Sequence, residues 1–179
     1  MKLALFDLDH TLLPIDSDYA WGEFTIRIGW CDAHEFAKQN DAFYADYQAG
    51  TLDIHEYVRF ATEAFRRQGA QAAAVAHSQF MHDVVQPAIR PEALALLEKH
   101  RDAGERLVII TATNEFVTRP IAQALGVHDL IAVELERDAS GWFTGEIRGT
   151  PSMREGKVTR LQQWLHDQGL SWDSVETTF

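Results

Sequence analysis

Two aspartates stand two positions apart directly behind an apolar run that begins at Leu3. Residues i and i+2 of an extended segment point to the same side, so Asp7 and Asp9 can share one site. Carboxylates held this close favour either a shared cation or a division of roles, in which one is ionised and the other carries a proton. The pair therefore predicts metal binding or acid–base chemistry, although an acidic, solvated turn after a strand has the same pattern.

Two further polar positions could complete such a site. Thr111 to Asn114 form a hydroxyl-rich stretch that runs from a strand into a helix, where free backbone N–H groups and the helix dipole favour an anion. Lys157 begins another helix, a position that the dipole mildly disfavours for a lysine. Each feature alone is more typical of a helix cap or of a solvated surface lysine.

Composition limits the classes of partner. The 179 residues carry a net charge of −11, which argues against a nucleic-acid or anionic-membrane partner but allows a small phosphorylated ligand. The single cysteine, Cys31, permits no internal disulfide and fits a reducing compartment. We find no signal peptide and no apolar run of the ~20 residues that a membrane helix needs. We expect a soluble, cytoplasmic protein, and the sequence indicates no oligomeric state.

Helical periodicity dominates the first half of the chain. Four consecutive helices are predicted, covering 18–28, 33–49, 54–66 and 70–82. Asp32 and Asp53 are predicted N-caps of the second and third of these helices. Aromatic side chains are expected to form the core of this bundle: Trp21, Phe24, Tyr44 and Tyr47.

Strands and helices alternate in the second half. Strands are predicted at 107–110, 128–135 and 174–179, a hairpin arm at 142–147, and helices at 92–102, 114–125 and 155–168. This alternation predicts an α/β fold with a Rossmann-like, doubly wound parallel sheet. We predict an α/β core formed by 1–15 and 88–179, and an inserted all-α cap formed by 16–87.

In this order the polar residues resemble the motifs of the haloacid dehalogenase superfamily of aspartate-nucleophile phosphatases. Its first motif, D-x-D-x-T, is matched by Asp7, Asp9 and Thr11, its second by Thr111 and its third by Lys157. The helical insert directly after the first strand is similar to the cap of subfamily IB. That branch contains phosphoserine-phosphatase-like and histidinol-phosphatase-like hydrolases.

The resemblance implies a magnesium-dependent phosphomonoesterase that acts on a small phosphorylated metabolite. Asp7 would be the nucleophile, Asp9 the general acid and base, and Lys157 a catalytic cation. The implied phosphate-binding groups are Thr111, Lys157 and the backbone of Leu8, Asp9 and Ala112. Mg²⁺ would be bound by the Asp7 carboxylate and the Asp9 backbone carbonyl. Asp16, nine positions after Asp7, has the offset of the acid that binds the substrate amino group in phosphoserine phosphatases, and Asp18 is a second candidate.

One departure from the family pattern affects the expected activity. The fourth motif, an acidic pair after the next strand, is absent because the chain ends at Phe179. We therefore expect that the C-terminal part of the core is missing and that this chain is nearly inactive, although a longer version is a phosphatase. Two alternatives stay open: a non-catalytic relative that binds a phosphorylated ligand or a partner, and a receiver-type signalling domain. Receivers lack a helical insert of this length and carry the phosphorylated aspartate on a later strand.

Overall fold

A parallel β-sheet organises the molecule, a computed structural model of which describes residues 2–179. The strand order is β3-β2-β1-β6, and every neighbouring pair is parallel. These strands are β1 (Leu3–Phe6), β2 (Arg106–Asn114), β3 (Asp129–Val133) and β6 (Val175–Thr178). Because the strands run in one direction, the residues that follow β1 and end β2 meet at one edge of the sheet.

Both faces of the sheet are covered, which confirms the doubly wound arrangement. Successive strand residues face opposite sides, so Leu3 and Leu5 of β1 lie on one face while Ala4 and Phe6 lie on the other. The first face packs against α8 (Glu155–Asp167). The second face packs against α6 (Pro91–Asp102) and α7 (Glu115–Ala124).

The four predicted helices are present between β1 and α6. They are α1 (Ser17–Arg27), α2 (Ala33–Ala49), α3 (Ile54–Gln68) and α4 (Ala70–Phe80). Asp32 and Asp53 cap α2 and α3 as predicted, and Asp16 caps α1. The chain then continues through a π-helical turn at Met81–Val85 and the short α5 (Gln86–Ala88), neither of which was predicted. The assignment of 16–87 to a separate cap stays a prediction, and Met1 lies outside the described residues.

The expected aromatic core of the bundle is correct only in part. Trp21 and Phe24 are buried, but Tyr44 and Tyr47 are 61% and 48% exposed, so that prediction was wrong for the two tyrosines. The reason is that α2 has no buried residue and contacts the rest of the insert through only one face. Phe36 lies on that face, and the centre of its ring is 5.0 Å from the centre of the Phe60 ring on α3.

A two-stranded antiparallel hairpin connects the sheet to the helical insert. It consists of β4 (Leu135–Arg137) and β5 (Phe143–Ile147), so the strand predicted at 128–135 is divided between β3 and β4. Arg66 of α3 donates to the Thr144 carbonyl at 3.0 Å, and Trp142 Nε1 donates to the Arg66 carbonyl at 3.2 Å. Among the helices of residues 2–179, none has the length and apolarity needed to cross a membrane.

Candidate functional site

Asp7 and Lys157 form an ion pair at the carboxyl edge of the main sheet. Asp7 directly follows β1, and its backbone N–H donates to the Phe179 carbonyl at 3.0 Å. Lys157 lies in the first turn of α8, and its Nζ is 2.6 Å from Asp7 Oδ1. The side chains are 32% exposed for Lys157 and 36% exposed for Asp7, so a solute can reach both partners.

The carboxylate of Asp9 accepts hydrogen bonds on both oxygens. The Ser17 backbone N–H, at the start of α1, donates to Oδ1 at 2.7 Å. The hydroxyls of Thr113 and Thr111, at the end of β2, donate to Oδ2 at 3.0 and 3.4 Å. These bonds fix the orientation of the carboxylate and join the first helix of the insert to the edge of the sheet.

Burial raises the pKa of Asp9 above its ordinary value. The nearby carboxylate of Asp16 acts in the same direction, while the hydrogen bonds from Ser17 and Thr113 oppose the shift. A carboxyl group with a raised pKa keeps its proton to higher pH, as a general acid requires. Asp7 and Asp9 therefore occupy different surroundings, one beside a lysine and the other desolvated among neutral donors, which suits a division of roles.

The end of β2 presents two hydroxyls on one side. Thr111 and Thr113 are buried, and Ala112 between them is exposed, as the two-residue period of a strand requires. The Thr113 backbone N–H also donates to Thr111 Oγ1 at 3.1 Å. Thr113 lies closer to the Asp9 carboxylate than Thr111 does, yet only Thr111 was predicted. The i, i+2 spacing of the two threonines was the signal that could have identified Thr113.

A tight turn before α8 determines where Lys157 begins. Ser152 is buried, and its hydroxyl donates to the Thr111 carbonyl at 2.6 Å, which ties the turn to the end of β2. The Gly156 backbone N–H donates to the Met153 carbonyl at 2.9 Å. A Cβ atom on Gly156 would lie 2.0 Å from the Pro151 carbonyl oxygen, so the turn requires glycine at this position.

Gly156→Ala is expected to lower the free energy of unfolding by about 1–3 kcal/mol, because the added methyl group forces the turn to move. The measurement is urea denaturation, with Gly104→Ala as the control. Gly104 has φ of 77° and nothing within 4 Å of an added Cβ, so its cost is conformational only, about 1–2 kcal/mol. An unchanged denaturation midpoint for Gly156→Ala would contradict the steric argument.

A cavity of about 1040 Å³ lies between the helical insert and the edge of the sheet. It borders the carboxylate site through His10, Ala112 and Thr113. The opposite wall is rich in aromatic side chains, namely Phe36, Phe43, Tyr44, Tyr47, Tyr57 and Phe60. The size and the mixture of apolar walls with a few polar groups are typical of small-molecule sites.

Asp18 is the carboxyl group lining this cavity whose pKa is most strongly perturbed. The Tyr57 hydroxyl donates to its Oδ2 at 2.5 Å, and Asn114 Nδ2 donates to Oδ1 at 3.4 Å. Burial raises the pKa of Asp18 to about 7, and the carboxylates of Asp16 and Asp9 add to the shift. Both hydrogen-bond partners are neutral, so the carboxylate has no hydrogen bond from a cation within residues 2–179.

Asp16 lines the same cavity but has a structural role. Its Oδ1 accepts from the backbone N–H groups of Asp18 and Tyr19 at 3.0 and 2.9 Å, as an N-cap does. The residue is exposed at the start of α1. Of the two acids predicted to contact substrate, Asp18 has its carboxylate on the aromatic wall, whereas Asp16 uses one oxygen to begin a helix.

The raised pKa of Asp18 makes the stability of the fold depend on pH. The carboxyl group has its ordinary pKa of 3.8 in the unfolded chain and a pKa of about 7 in the folded chain. Between these values the folded state binds more protons, so the free energy of unfolding falls as pH rises and then levels off above pH 7. Asp18→Asn, which cannot ionise, is expected to gain stability relative to the unchanged chain as pH is raised from about 4 to about 8.

Unfolding midpoints measured across this pH range test the assignment. Asp173→Asn, which removes an exposed carboxylate, is the control and should follow the unchanged chain. Parallel pH profiles for the Asp18→Asn and Asp173→Asn variants would contradict the shift at Asp18.

Asp7 and Asp9 could supply the small number of protein ligands that a magnesium ion needs. Residues 2–179 contain no group of three or more His, Cys, Asp or Glu side chains that could hold a metal. Magnesium commonly uses only one or two carboxylates and completes its shell with water and substrate phosphate. Lys157 bonds Oδ1 of Asp7, which leaves Oδ2 for a cation. Both carboxylate oxygens of Asp9 accept hydrogen bonds, so its backbone carbonyl is the better remaining ligand.

The structure brings Asp7, Asp9, Thr111 and Lys157 together as the sequence predicted. Ala112 lies on the cavity wall, and Leu8 is fully buried, so its backbone alone could contact a ligand. Sequence reasoning assigned no individual role to several residues that shape the site, two of which belong to the predicted hydroxyl-rich stretch: Ser17, Tyr57, Thr113, Asn114 and Ser152.

Comparisons with known proteins give a family match, a similar sequence and a similar structure. A family model described as haloacid dehalogenase-like hydrolase matches residues 4–179. A histidinol-phosphatase of Neisseria meningitidis serogroup C (strain 8013) is 40% identical over 178 residues, which cover 99% of this chain and 80% of that protein. The crystal structure of a protein with unknown function from Bordetella pertussis Tohama I superposes with a TM-score of 0.90 at 42% identity, covering 99% of this chain and 79% of that one.

A more distant structure shares the fold. A phosphoserine phosphatase solved as a phospho-aspartyl intermediate analogue gives a TM-score of 0.63 at 16% identity, covering 98% of this chain and 76% of that one.

Proposed function

Because the chain belongs to the haloacid dehalogenase-like hydrolase family, we propose that it is a magnesium-dependent phosphomonoesterase acting on a small phosphorylated metabolite through an aspartyl-phosphate. The observation that carries the proposal is the Asp7–Lys157 ion pair, 2.6 Å long, beside an Asp9 whose pKa is raised by burial. This arrangement supplies a nucleophile, a cation and a proton donor at one solvent-accessible edge.

Asp7 is the nucleophile of the proposed reaction. One of its carboxylate oxygens forms a bond to phosphorus while the bond from phosphorus to the ester oxygen breaks, which gives an acyl phosphate and an alcohol. Lys157 offsets the negative charge on the phosphoryl oxygens during this transfer. The same cation stabilises the second transfer, in which water replaces the Asp7 oxygen at phosphorus.

Asp9 moves the proton in both steps. Its raised pKa keeps a proton available for the departing alcohol oxygen. The carboxylate that remains then takes a proton from the water that attacks the acyl phosphate, so inorganic phosphate leaves and Asp9 regains its starting state. The Ser17 backbone N–H and the Thr113 hydroxyl hold the Asp9 carboxyl in place throughout.

The phosphoryl group is held by donors around the end of β2. We assign Thr111, Lys157 and the backbone N–H groups of Leu8, Asp9 and Ala112 to this role. Mg²⁺ would be bound by the Asp7 carboxylate and the Asp9 backbone carbonyl. When bound, the ion withdraws charge from the phosphoryl oxygens and aligns them with the nucleophile.

Two features of the cavity favour a substrate with a cationic group and a ring. Asp18 and Asp16 both line the cavity, and a bound ammonium group would favour the ionised form of Asp18, which suits an amino-bearing ester. The aromatic wall and the volume of about 1040 Å³ suit a larger group than a serine side chain. Histidinol phosphate, the substrate indicated by the name of the Neisseria relative, has both an amino group and an imidazole ring.

Phosphate release from a panel of phosphomonoesters tests the proposal. The panel contains histidinol phosphate, phosphoserine and an ester without an amino group, each with Mg²⁺ and with a chelator. We expect magnesium-dependent release that is fastest with histidinol phosphate. Saturable binding of these esters without any phosphate release would favour the alternative that the protein is a non-catalytic relative that binds a phosphorylated ligand.

A further inference from the structure

Helix α2 is weakly attached to the rest of the molecule although it forms a wall of the cavity. Phe36 packs on Gly22 of α1, and Phe43 lies 5.5 Å from the ring of Tyr57 on α3. The helix contains no buried residue, and Tyr44 and Tyr47 are exposed. A helix held by a few ring contacts on one face can open locally at low cost in free energy.

One polar contact joins α2 to the α/β core. Arg154 Nη2 donates to the Tyr47 carbonyl at 3.3 Å, and the guanidinium lies 5.1 Å from the centre of the Tyr47 ring. It is the only side-chain hydrogen bond between α2 and the core within residues 2–179. The last turn of α2 has no basic residue, so Arg154 supplies from outside the positive charge that the negative end of the helix dipole favours.

The backbone of Arg154 lies at the start of the helix that carries Lys157. Its φ and ψ are 51° and −124°, a region that side-chain-bearing residues rarely adopt. Its carbonyl accepts the Lys157 backbone N–H at 3.0 Å. The neighbouring Met153 lines the cavity, and Ser152 is tied to the Thr111 carbonyl. One residue therefore contacts the wall of the cavity with its side chain and begins the helix of the catalytic lysine with its backbone.

We propose that Arg154 is a positioning residue that latches α2 over the cavity and links the closed position of this helix to the placement of Lys157. The effect on substrate rests on the proposed function, whereas the latch itself does not. With the latch in place the aromatic wall and the phosphate site are assembled together. Without it α2 opens more often. The apparent affinity for substrate then falls in proportion to the fraction of molecules in which α2 is closed.

Amide hydrogen exchange in the substrate-free protein tests the latch. We expect Arg154→Ala to increase exchange across α2 roughly 2- to 10-fold, the range for loss of one exposed cation–π contact and one hydrogen bond. Exchange in α3 should stay unchanged. Arg101→Ala is the matched control, because Arg101 Nη2 donates to the Gly126 carbonyl at 3.1 Å far from α2. Equal α2 exchange in both variants would overturn the proposal.

Two further variants separate the latch from backbone strain. Arg154→Gly removes the same side chain but tolerates the positive φ, so it should open α2 as much as Arg154→Ala while unfolding at higher urea concentration. Arg154→Lys keeps the charge and should restore part of the protection. Protection of α2 in Arg154→Gly equal to that of the unchanged chain would show that strain, and not the side-chain contact, controls α2.

Steady-state kinetics with histidinol phosphate test the consequence for substrate. We expect Arg154→Ala to raise KM by a smaller factor than it raises α2 exchange, because only the molecules with α2 open lose affinity, and to lower kcat by less than it raises KM. Faster α2 exchange with an unchanged KM would overturn the link to substrate. Faster α2 exchange in a protein that hydrolyses none of the panel would support the latch and locate the failure in the proposed function.

Discussion

Asp7→Asn is expected to lower kcat for phosphate release on the order of 10⁴-fold or more, the scale on which removal of a catalytic nucleophile acts. The amide is a poor nucleophile toward phosphorus and yields no acyl phosphate that water can hydrolyse readily. It also removes the charge that pairs with Lys157 at 2.6 Å. The measurement is the rate of phosphate release at saturating substrate and Mg²⁺.

A second lysine–carboxylate pair provides the control for this variant. Lys2 Nζ lies 2.9 Å from Glu176 Oε1, and both side chains are well exposed. Glu176→Gln removes a lysine–carboxylate contact at the surface and should leave turnover and the denaturation midpoint unchanged. Retained substrate binding in a folded Asp7→Asn variant is expected as well. Turnover by that variant within tenfold of the unchanged protein would exclude Asp7 as the nucleophile.

Asp9→Asn is expected to lower kcat for an alkyl phosphate by about 10²- to 10⁴-fold, the usual contribution of a general acid and base. The amide neither gives nor takes a proton, and it keeps only one of the two oxygens that accept hydrogen bonds from Ser17, Thr111 and Thr113, while the nucleophile stays in place. An aryl phosphate with an acidic leaving group needs no protonation, so its first step should be nearly normal. The second step still needs the base, and the acyl phosphate should accumulate.

Pre-steady-state kinetics with the aryl ester measure this difference. We expect a rapid release of about one equivalent of phenol per chain in Asp9→Asn, followed by slow turnover. Thr113→Val is a useful comparison, because it removes only the 3.0 Å hydrogen bond to Asp9 and should cost about tenfold or less. Equal losses for alkyl and aryl esters in the first step would contradict the role of Asp9 as general acid.

The residues to which we assign the proposed chemistry could be predicted because their sequence signals are local. Asp7 and Asp9 follow an apolar strand at a spacing of two, and Thr111 ends another strand. Parallel strands place such ends at a common edge, so proximity follows from the fold class alone. The local sequence around Lys157 does not distinguish it from a surface lysine. Its assignment depended on the order in which the polar motifs follow one another along the chain.

The supporting contacts could not be predicted for a physical reason. Tyr57 and Asp18 lie 39 positions apart on different helices, and their contact depends on how α1 and α3 pack. Ser152 reaches the Thr111 carbonyl across 41 positions through a turn whose shape no periodicity encodes. Side-chain periodicity shows that a helix has an apolar face but does not show whether another element covers it.

The aromatic residues of α2 illustrate that limit. Helical spacing places Phe36, Phe43 and Tyr47 on related positions of one helix, and burial was predicted for Tyr47. In the fold, α1 and α3 cover the two phenylalanines, while Tyr47 reaches the rim of the cavity and meets Arg154. The exposed tyrosine thus contributes to a contact between distant parts of the chain rather than to a core.

Acid-quenched mass spectrometry during turnover of histidinol phosphate is the measurement that tests the central claim most directly. The account predicts a covalent phosphoryl group on the peptide that contains Asp7, dependent on Mg²⁺ and absent from the Asp7→Asn variant. Rapid magnesium-dependent turnover without any phosphorylated peptide, or with the phosphoryl group on a different residue, would contradict the assignment of Asp7 as the nucleophile.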